Sequence, residues 1–84
     1  MARWSLGRTL TVSQQRLLDA VDCWDGGETF DVYQTYAGHY PSMPFPLAWH
    51  NADRAARALA RYGLVRLDDG RISLTERARI LIGE

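Results

Sequence analysis

The sequence contains no lysine, only one cysteine and no long run of apolar residues. With Cys23 alone, the chain cannot form an internal disulfide and has no pair of cysteines for a zinc site. Every apolar run is shorter than the roughly 18 residues that a membrane-spanning helix needs. The first ten residues contain Arg3 and Arg8 but no apolar stretch, unlike a secretory signal. We therefore expect no membrane segment and a reducing, cytoplasmic setting.

Length and composition indicate one small folded domain. The chain has 84 residues, of which 46% are hydrophobic and 24% are charged, close to the averages of globular proteins. A chain of this size buries a single hydrophobic core. We predict an N-terminal arm over residues 1–10, with Trp4 and Leu6 as candidates for packing, and one domain over residues 11–84.

Positive and negative charges balance, but they are segregated along the chain. Ten acidic and ten basic residues give a net charge of zero, so composition alone predicts no polyanionic partner. An acidic stretch carries Asp19, Asp22, Asp25, Glu28 and Asp31, and a basic stretch carries Arg54, Arg57, Arg61 and Arg66. A basic face on a neutral protein still attracts a polyanion. We interpret the acidic stretch as ordinary surface, with a face for a basic protein as the alternative.

A first helix is predicted over about residues 12–25. Thr11 and Gln14 have the spacing of a capping box, with Ser13 as a competing N-cap. The apolar positions that follow recur at helical spacing, and they are Leu17, Leu18, Val21 and Trp24. The glycine pair at Gly26 ends the helix.

The next segment fits either a strand or a helix. Residues 29–32 have the composition of a short strand, whereas one helical face would carry Phe30, Tyr33, Ala37 and Tyr40. We favour a helix over about residues 31–37, preceded by one or two extended residues. The three prolines within residues 41–46 then predict a stiff loop, because proline fixes φ and removes backbone donors.

The strongest helical pattern spans residues 47–62, which are rich in alanine, the best helix former. At about 100° per residue, the inward sector contains Trp49, Ala52, Ala56, Leu59 and Ala60. The opposite sector contains His50, Arg54, Arg57 and Arg61, with Asn51 and Ala58 at its edge. Gly63 follows as the C-terminal cap.

A β-hairpin is predicted over residues 64–74, since Asp69-Gly70 favours a type I′ turn. The predicted register places Val65 opposite Leu74 and Leu67 opposite Ile72 on the core side, and Arg66 opposite Ser73 and Asp68 opposite Arg71 on the other side. Thr75 then caps a last helix over residues 76–82, with Ala78, Leu81 and Ile82 facing inward.

Helix, short helix, long helix, hairpin and final helix is the element order of a winged helix-turn-helix domain, a mainly α fold with a small β-hairpin (α+β). The segment ADRAARALARYGLVR looks like the recognition helix and first wing strand of MarR-type regulators, through Leu59, Gly63, Leu64 and Val65. The segment DGRISLTERARIL is similar to that family's wing return and next helix, and LTVSQQRLL resembles its first helix. The resemblance covers residues 10–82.

This resemblance implies a DNA-binding transcriptional regulator whose helix over residues 47–62 enters the major groove and whose hairpin over residues 64–74 is the wing. The sequence departs from the family in three respects. The connection holding the prolines is long, and the wing tip carries Asp68 and Asp69. MarR proteins dimerise through extra helices at both ends, whereas this sequence has ten residues before the first helix and one short helix after the wing, so we do not expect that dimer mode.

The arginine-rich sector is the predicted site for double-stranded DNA, because arginine binds phosphate and reads guanine through paired hydrogen bonds. The predicted contacts are His50, Asn51, Arg54, Arg57 and Arg61 on the helix, and Arg66 and Arg71 on the wing. A solvated helix face is the alternative, and Arg71 has the further alternative of a cross-strand pair with Asp68. A homodimer or a larger assembly would accompany DNA binding, since a lone module binds weakly.

A second hypothesis is a winged-helix module that binds protein and not DNA, for example a phage-type protein that docks on a host protein. Its candidate patch lies around the proline loop and consists of Tyr36, Tyr40, Met43 and Phe45. We expect no enzyme, metal or cofactor, because no catalytic motif is present and His39 and His50 lack metal-ligand spacing. We interpret Cys23 as a buried, unreactive thiol.

Overall fold

A computed structural model of the protein describes residues 10–81. The elements are α1 (Val12–Cys23), β1 (Gly27–Glu28), α2 (Thr29–Ala37), α3 (Phe45–Arg61), β2 (Val65–Asp68), β3 (Arg71–Leu74) and α4 (Glu76–Leu81). The predicted mainly α architecture with a small β component is confirmed. The predictions for Trp4, Leu6 and the side chains of Leu81 and Ile82 lie outside the described residues. No helix within residues 10–81 is long and apolar enough to cross a bilayer.

The predicted capping box begins α1. The backbone N–H of Gln14 donates to Thr11 Oγ1 at 3.1 Å, and the backbone N–H of Thr11 donates to Gln14 Oε1 at 3.0 Å. Ser13 is therefore not the cap, and its hydroxyl lies 2.7 Å from the Tyr36 hydroxyl. Leu10, which the sequence placed in the arm, is instead buried in the core beside α1.

The end of α1 differs from the prediction. The helix stops at Cys23, and Trp24 leaves the helical conformation with φ −125° and ψ 39°. The side chain of Trp24 is consequently turned away from the apolar stripe and is 46% exposed, with its indole N–H donating to Thr35 Oγ1 at 2.7 Å. Cys23 is also exposed, so the prediction of a buried thiol is wrong.

Within residues 10–81 the sheet has three antiparallel strands in the order β1-β3-β2, one strand more than the hairpin predicted from sequence. Gly27 pairs with Ile72, and Glu28 pairs with Arg71. A two-residue strand is too short to show an alternating pattern, so the sequence pattern predicts no strand there and places the extended residues just before residue 31 instead. The Asp25 carboxylate strengthens this junction, because it accepts the Leu74 amide at 2.8 Å and pairs with Arg79 of α4.

The hairpin has the predicted register at all four positions. Asp69 and Gly70 both have positive φ, 50° and 74°, as a type I′ turn requires. One detail is wrong, because Leu67 is exposed although its partner Ile72 is fully buried. Only the first residue of β2, Val65, is buried, so the strand leaves the core before it reaches Leu67.

The helix α2 begins at Thr29, which rules out the alternative of a strand over residues 29–32. It buries Val32, Tyr33 and Tyr36 against the neighbouring helices. Phe30, assigned to the same apolar face from sequence, is 55% exposed and lies against Trp49 with ring centroids 5.2 Å apart.

Four alanines and one leucine form the buried face of α3. These residues are Ala48, Ala52, Ala55, Ala56 and Leu59. Small side chains let the helix backbone approach its neighbours closely, because the distance between helix axes depends on the side chains at the contact. The three helices α1, α2 and α3 all contact one another, and Trp49 and Ala60 pack against the edge of the same core.

This packing predicts that enlarging a buried alanine of α3 destabilises the fold. Ala52→Leu should lower the free energy of unfolding by about 1–3 kcal/mol, because extra methylenes in a close-packed core force shifts of side chains and backbone. Ala58→Leu adds the same atoms at a half-buried position and should cost less. Urea unfolding followed by circular dichroism measures both, and equal stability of Ala52→Leu and wild type would contradict this packing.

Candidate nucleic-acid interface

The outward face of α3 carries the helix residues predicted to contact DNA. His50, Arg54, Arg57 and Arg61 are exposed, and Asn51 is half-buried. The four exposed residues lie opposite the alanine face that fixes the helix against α1 and α2, and Asn51 lies at the edge of their sector. The structure therefore brings these five residues onto one surface, as helical spacing predicts.

A cleft of about 550 Å³ runs along this surface, between α3, the start of α1 and the end of α2. Its lining residues from α3 are Asn51, Arg54, Ala55, Arg57, Ala58 and Arg61. The other walls are Thr11, Ser13, Gln14, Tyr36, Tyr40 and Met43. Among the described residues that line this cleft, three are arginines and none is acidic. The cleft is therefore suited to an anionic group with polar neighbours.

Arg16 adds another positive charge near the cleft. Its guanidinium lies 5.0 Å from the centre of the Tyr40 ring, a cation–π contact. Sequence reasoning assigned no role to Arg16, because it lies on α1 and is distant in sequence from the basic stretch.

One arginine of the face is held by a carboxylate. Arg57 Nε donates to Asp53 Oδ2 at 2.9 Å, and the Tyr33 hydroxyl donates to Asp53 Oδ1 at 3.0 Å. The Arg57 hydrogen bond lowers the pKa of Asp53 below its ordinary value. Burial and the bond to Asp53 raise the pKa of Tyr33. Sequence reasoning missed Asp53, although its spacing of four residues from Arg57 is that of a helical ion pair.

The two arginines predicted for the wing are both exposed, Arg66 on β2 and Arg71 on β3. Arg71 and Asp68 are cross-strand partners in the backbone register. The Arg71 guanidinium nevertheless donates to the Gly26 carbonyl at 3.0 Å, so it ties the hairpin to the turn after α1. In the part of the chain that the structure describes, Arg71 makes this contact and not the ion pair with Asp68 that was the alternative to DNA contact.

The predicted protein-binding patch does not form one exposed surface. Tyr36 is 1% exposed, because its ring is buried in the core and its hydroxyl reaches Ser13. Tyr40 is half-buried against that ring, with centroids 5.1 Å apart, and Met43 is half-buried beside Asn51. Of the four predicted residues, only Phe45 is exposed, at 53%.

A different aromatic cluster lies at the start of α3. Trp49 is in contact with Phe30 on one side and Phe45 on the other, with both ring centroids 5.2 Å away. Tyr33 meets Trp49 edge to face at 5.4 Å. Phe30 and Phe45 are both more than half exposed, so the cluster presents aromatic surface to solvent. Its sequence signal was the spacing of Phe45 and Trp49 by one helical turn.

Comparison of the chain with protein-family models, curated proteins and solved structures gives no match. Among residues 10–81, no group of three or more histidine, cysteine, aspartate or glutamate side chains is placed to hold a metal ion. The features of the site that can bind a ligand are the arginine face, the cleft and the hydrogen bonds that join Tyr33, Asp53 and Arg57.

The lowered pKa of Asp53 predicts a specific dependence of stability on pH. The stabilisation that comes from the ionised Asp53 carboxylate is present above its ordinary pKa of 3.8, and it is lost as the pH falls through the lower pKa of the folded protein. The difference in free energy of unfolding between wild type and Asp53→Asn should therefore shrink as the pH is lowered from about 6 to about 2.5. Arg57→Ala removes the partner of Asp53, so it should also make the free energy of unfolding depend less on pH over this range. If urea unfolding shows a constant difference in stability between wild type and Asp53→Asn from about pH 6 to about 2.5, the pairing with Arg57 does not stabilise the ionised carboxylate.

Proposed function

We propose that this protein is a small winged-helix protein that binds double-stranded DNA and regulates transcription. The arginine face of α3 carries the proposal, because it is an exposed helical surface bordered by a cleft without acidic lining residues among those described. A helix fits the major groove of B-DNA, which is about 12 Å wide. In this proposal α3 lies in the groove and the hairpin of β2 and β3 is the wing.

The order of elements supports the winged-helix assignment. Three helices precede a hairpin with a type I′ turn, and a further helix follows it. Because β3 also pairs with β1 and is joined to the Asp25 turn, the hairpin is fixed beside the helices. A wing fixed in this way keeps Arg66 and Arg71 in a constant relation to α3.

The cleft supports a contact with the DNA backbone next to the groove. Phosphates in protein–DNA complexes are bound by arginine and also by serine, threonine, glutamine and tyrosine side chains. Arg54 and Arg61 of α3 line the cleft, and so do Thr11, Ser13 and Gln14 at the start of α1. A phosphate in the cleft would meet both sets of side chains, which would set the angle of α3 in the groove. A cytoplasmic homodimer on paired half-sites would supply the affinity that one module lacks.

The proposal predicts a steep dependence of DNA affinity on salt. If three to five arginines contact phosphates, raising the salt from about 50 to about 200 mM should weaken binding roughly 40- to 500-fold, because each contact releases condensed counterions. Arg54→Ala should reduce the slope of log affinity against log salt by about 0.9. Fluorescence anisotropy with a labelled random-sequence duplex measures this slope.

Arg79→Ala is the matched control, since it removes the same charge from α4, where Arg79 pairs with Asp25. It should leave the slope unchanged at a temperature where every variant is folded. An equal reduction by both substitutions would mean that net charge, and not the α3 face, attracts the DNA.

The exposed aromatic cluster favours one alternative, a module that binds another protein. Exposed aromatic side chains in contact with one another are typical of protein interfaces. This alternative applies if wild type binds no duplex at low salt. The double variant Phe30→Ala with Phe45→Ala should then fail to capture a protein partner that both wild type and Arg54→Ala capture. Equal capture by wild type and both variants would exclude the cluster as the docking surface.

A further inference from the structure

Arg57 differs from the other arginines of the α3 face in how it is held. Its Nε donates to Asp53 Oδ2, and the second oxygen of that carboxylate accepts the Tyr33 hydroxyl. Tyr33 is itself buried and packs edge to face on Trp49, with the ring planes at 81°. The carboxylate is therefore fixed from α2, and it fixes the inner edge of the Arg57 guanidinium.

This arrangement leaves the outer edge of the guanidinium available. Arginine has five N–H donors, of which Nε uses one, so the two terminal amino groups remain. The side chain is 68% exposed, which leaves room for a ligand at that edge. Two parallel donors at a fixed spacing match the O6 and N7 acceptors of guanine, which are exposed in the major groove.

Arg54 and Arg61 lack this support. Among the described residues no carboxylate pairs with either of them. An arginine that is free to turn can follow a phosphate, whose oxygens accept from many directions. An arginine that is already oriented loses less conformational freedom on making a directional contact.

We propose that Arg57, positioned by Asp53, reads a guanine base in the major groove, while Arg54 and Arg61 bind phosphates. This inference rests on the proposed DNA-binding function. The charge of Asp53 supports it, because the carboxylate lies beside Arg57 and would repel a phosphate bound there. The edge of a guanine is a neutral acceptor and meets no such repulsion. Asp53 is thus a positioning residue and Arg57 the residue that contacts the base.

To test this inference, duplexes with a randomised central segment are incubated with wild type or a variant, and the sequences that each protein preferentially binds are determined. Wild type should enrich a guanine at one position. Replacing this guanine by 7-deazaguanine, which lacks the N7 acceptor, should weaken binding about 5- to 150-fold. Arg57→Ala should lose this discrimination, because alanine has no donor for O6 or N7. Arg61→Ala, the matched control on the same face, should keep it.

Asp53→Ala separates positioning from folding. The alanine side chain has no acceptor oxygen, so both the Arg57 and the Tyr33 hydrogen bonds are lost. Discrimination against 7-deazaguanine should fall, while affinity for random-sequence DNA should stay the same or rise, because a negative charge has been removed. Tyr33→Phe should act in the same direction. A loss of structure would instead lower affinity for every duplex, and circular dichroism melting shows whether it has occurred.

Two results would overturn the inference while leaving the proposed function intact. The first is that Arg57→Ala weakens binding equally on all sequences with the preferred bases unchanged, which is the behaviour of a phosphate contact. The second is that Asp53→Ala retains full discrimination, which removes Asp53 from any positioning role. Absence of duplex binding by wild type at low salt would overturn both the inference and the proposed function.

Discussion

The rest of this structure depends on the close contact between the alanine face of α3 and the helices α1 and α2. Alanine loses no side-chain entropy in a helix and occupies little space at a helix–helix contact. The small inward residues, Ala52 and Ala56 among them, let α3 lie against the core along its length. Because the inward face is fixed in this way, the direction of the outward arginines is fixed as well.

The charged residues around α3 follow from the same constraint. Arg54 and Arg61 lie beside a cleft whose other walls are neutral polar side chains at the start of α1, a tyrosine at the end of α2, and a tyrosine and a methionine that follow α2. Arg57 is instead held by Asp53, which α2 reaches through Tyr33. One helix face thus combines arginines of two kinds, one oriented by its neighbours and two without a carboxylate partner among the described residues. In the proposed function, the latter two arginines would contact phosphates, which position a protein on DNA, and the oriented arginine would contact a base, which gives specificity.

The local features of the fold could be predicted because short-range rules decide them. The capping box at Thr11, the type I′ turn at Asp69 and the hairpin register all follow from residues close in sequence. What failed depends on tertiary contacts. Tyr36, a candidate for an exposed patch in the second hypothesis, is buried in the core and contacts Ser13 of α1, and β1 exists only because β3 pairs with it. The Asp53–Arg57 pair could have been found from helical spacing alone, whereas its anchor on α2 could not.

Mapping the surface that contacts DNA is the sharpest test of the proposed role of α3. A titration of the isotope-labelled protein with a short duplex, followed by amide chemical shifts in two-dimensional NMR, gives a residue-by-residue result. We expect the largest shifts on residues 50–61 of α3, with smaller ones at Thr11 to Gln14 and on the wing. Shifts confined to the surroundings of Phe30 and Phe45, or no shifts at low salt, would contradict it.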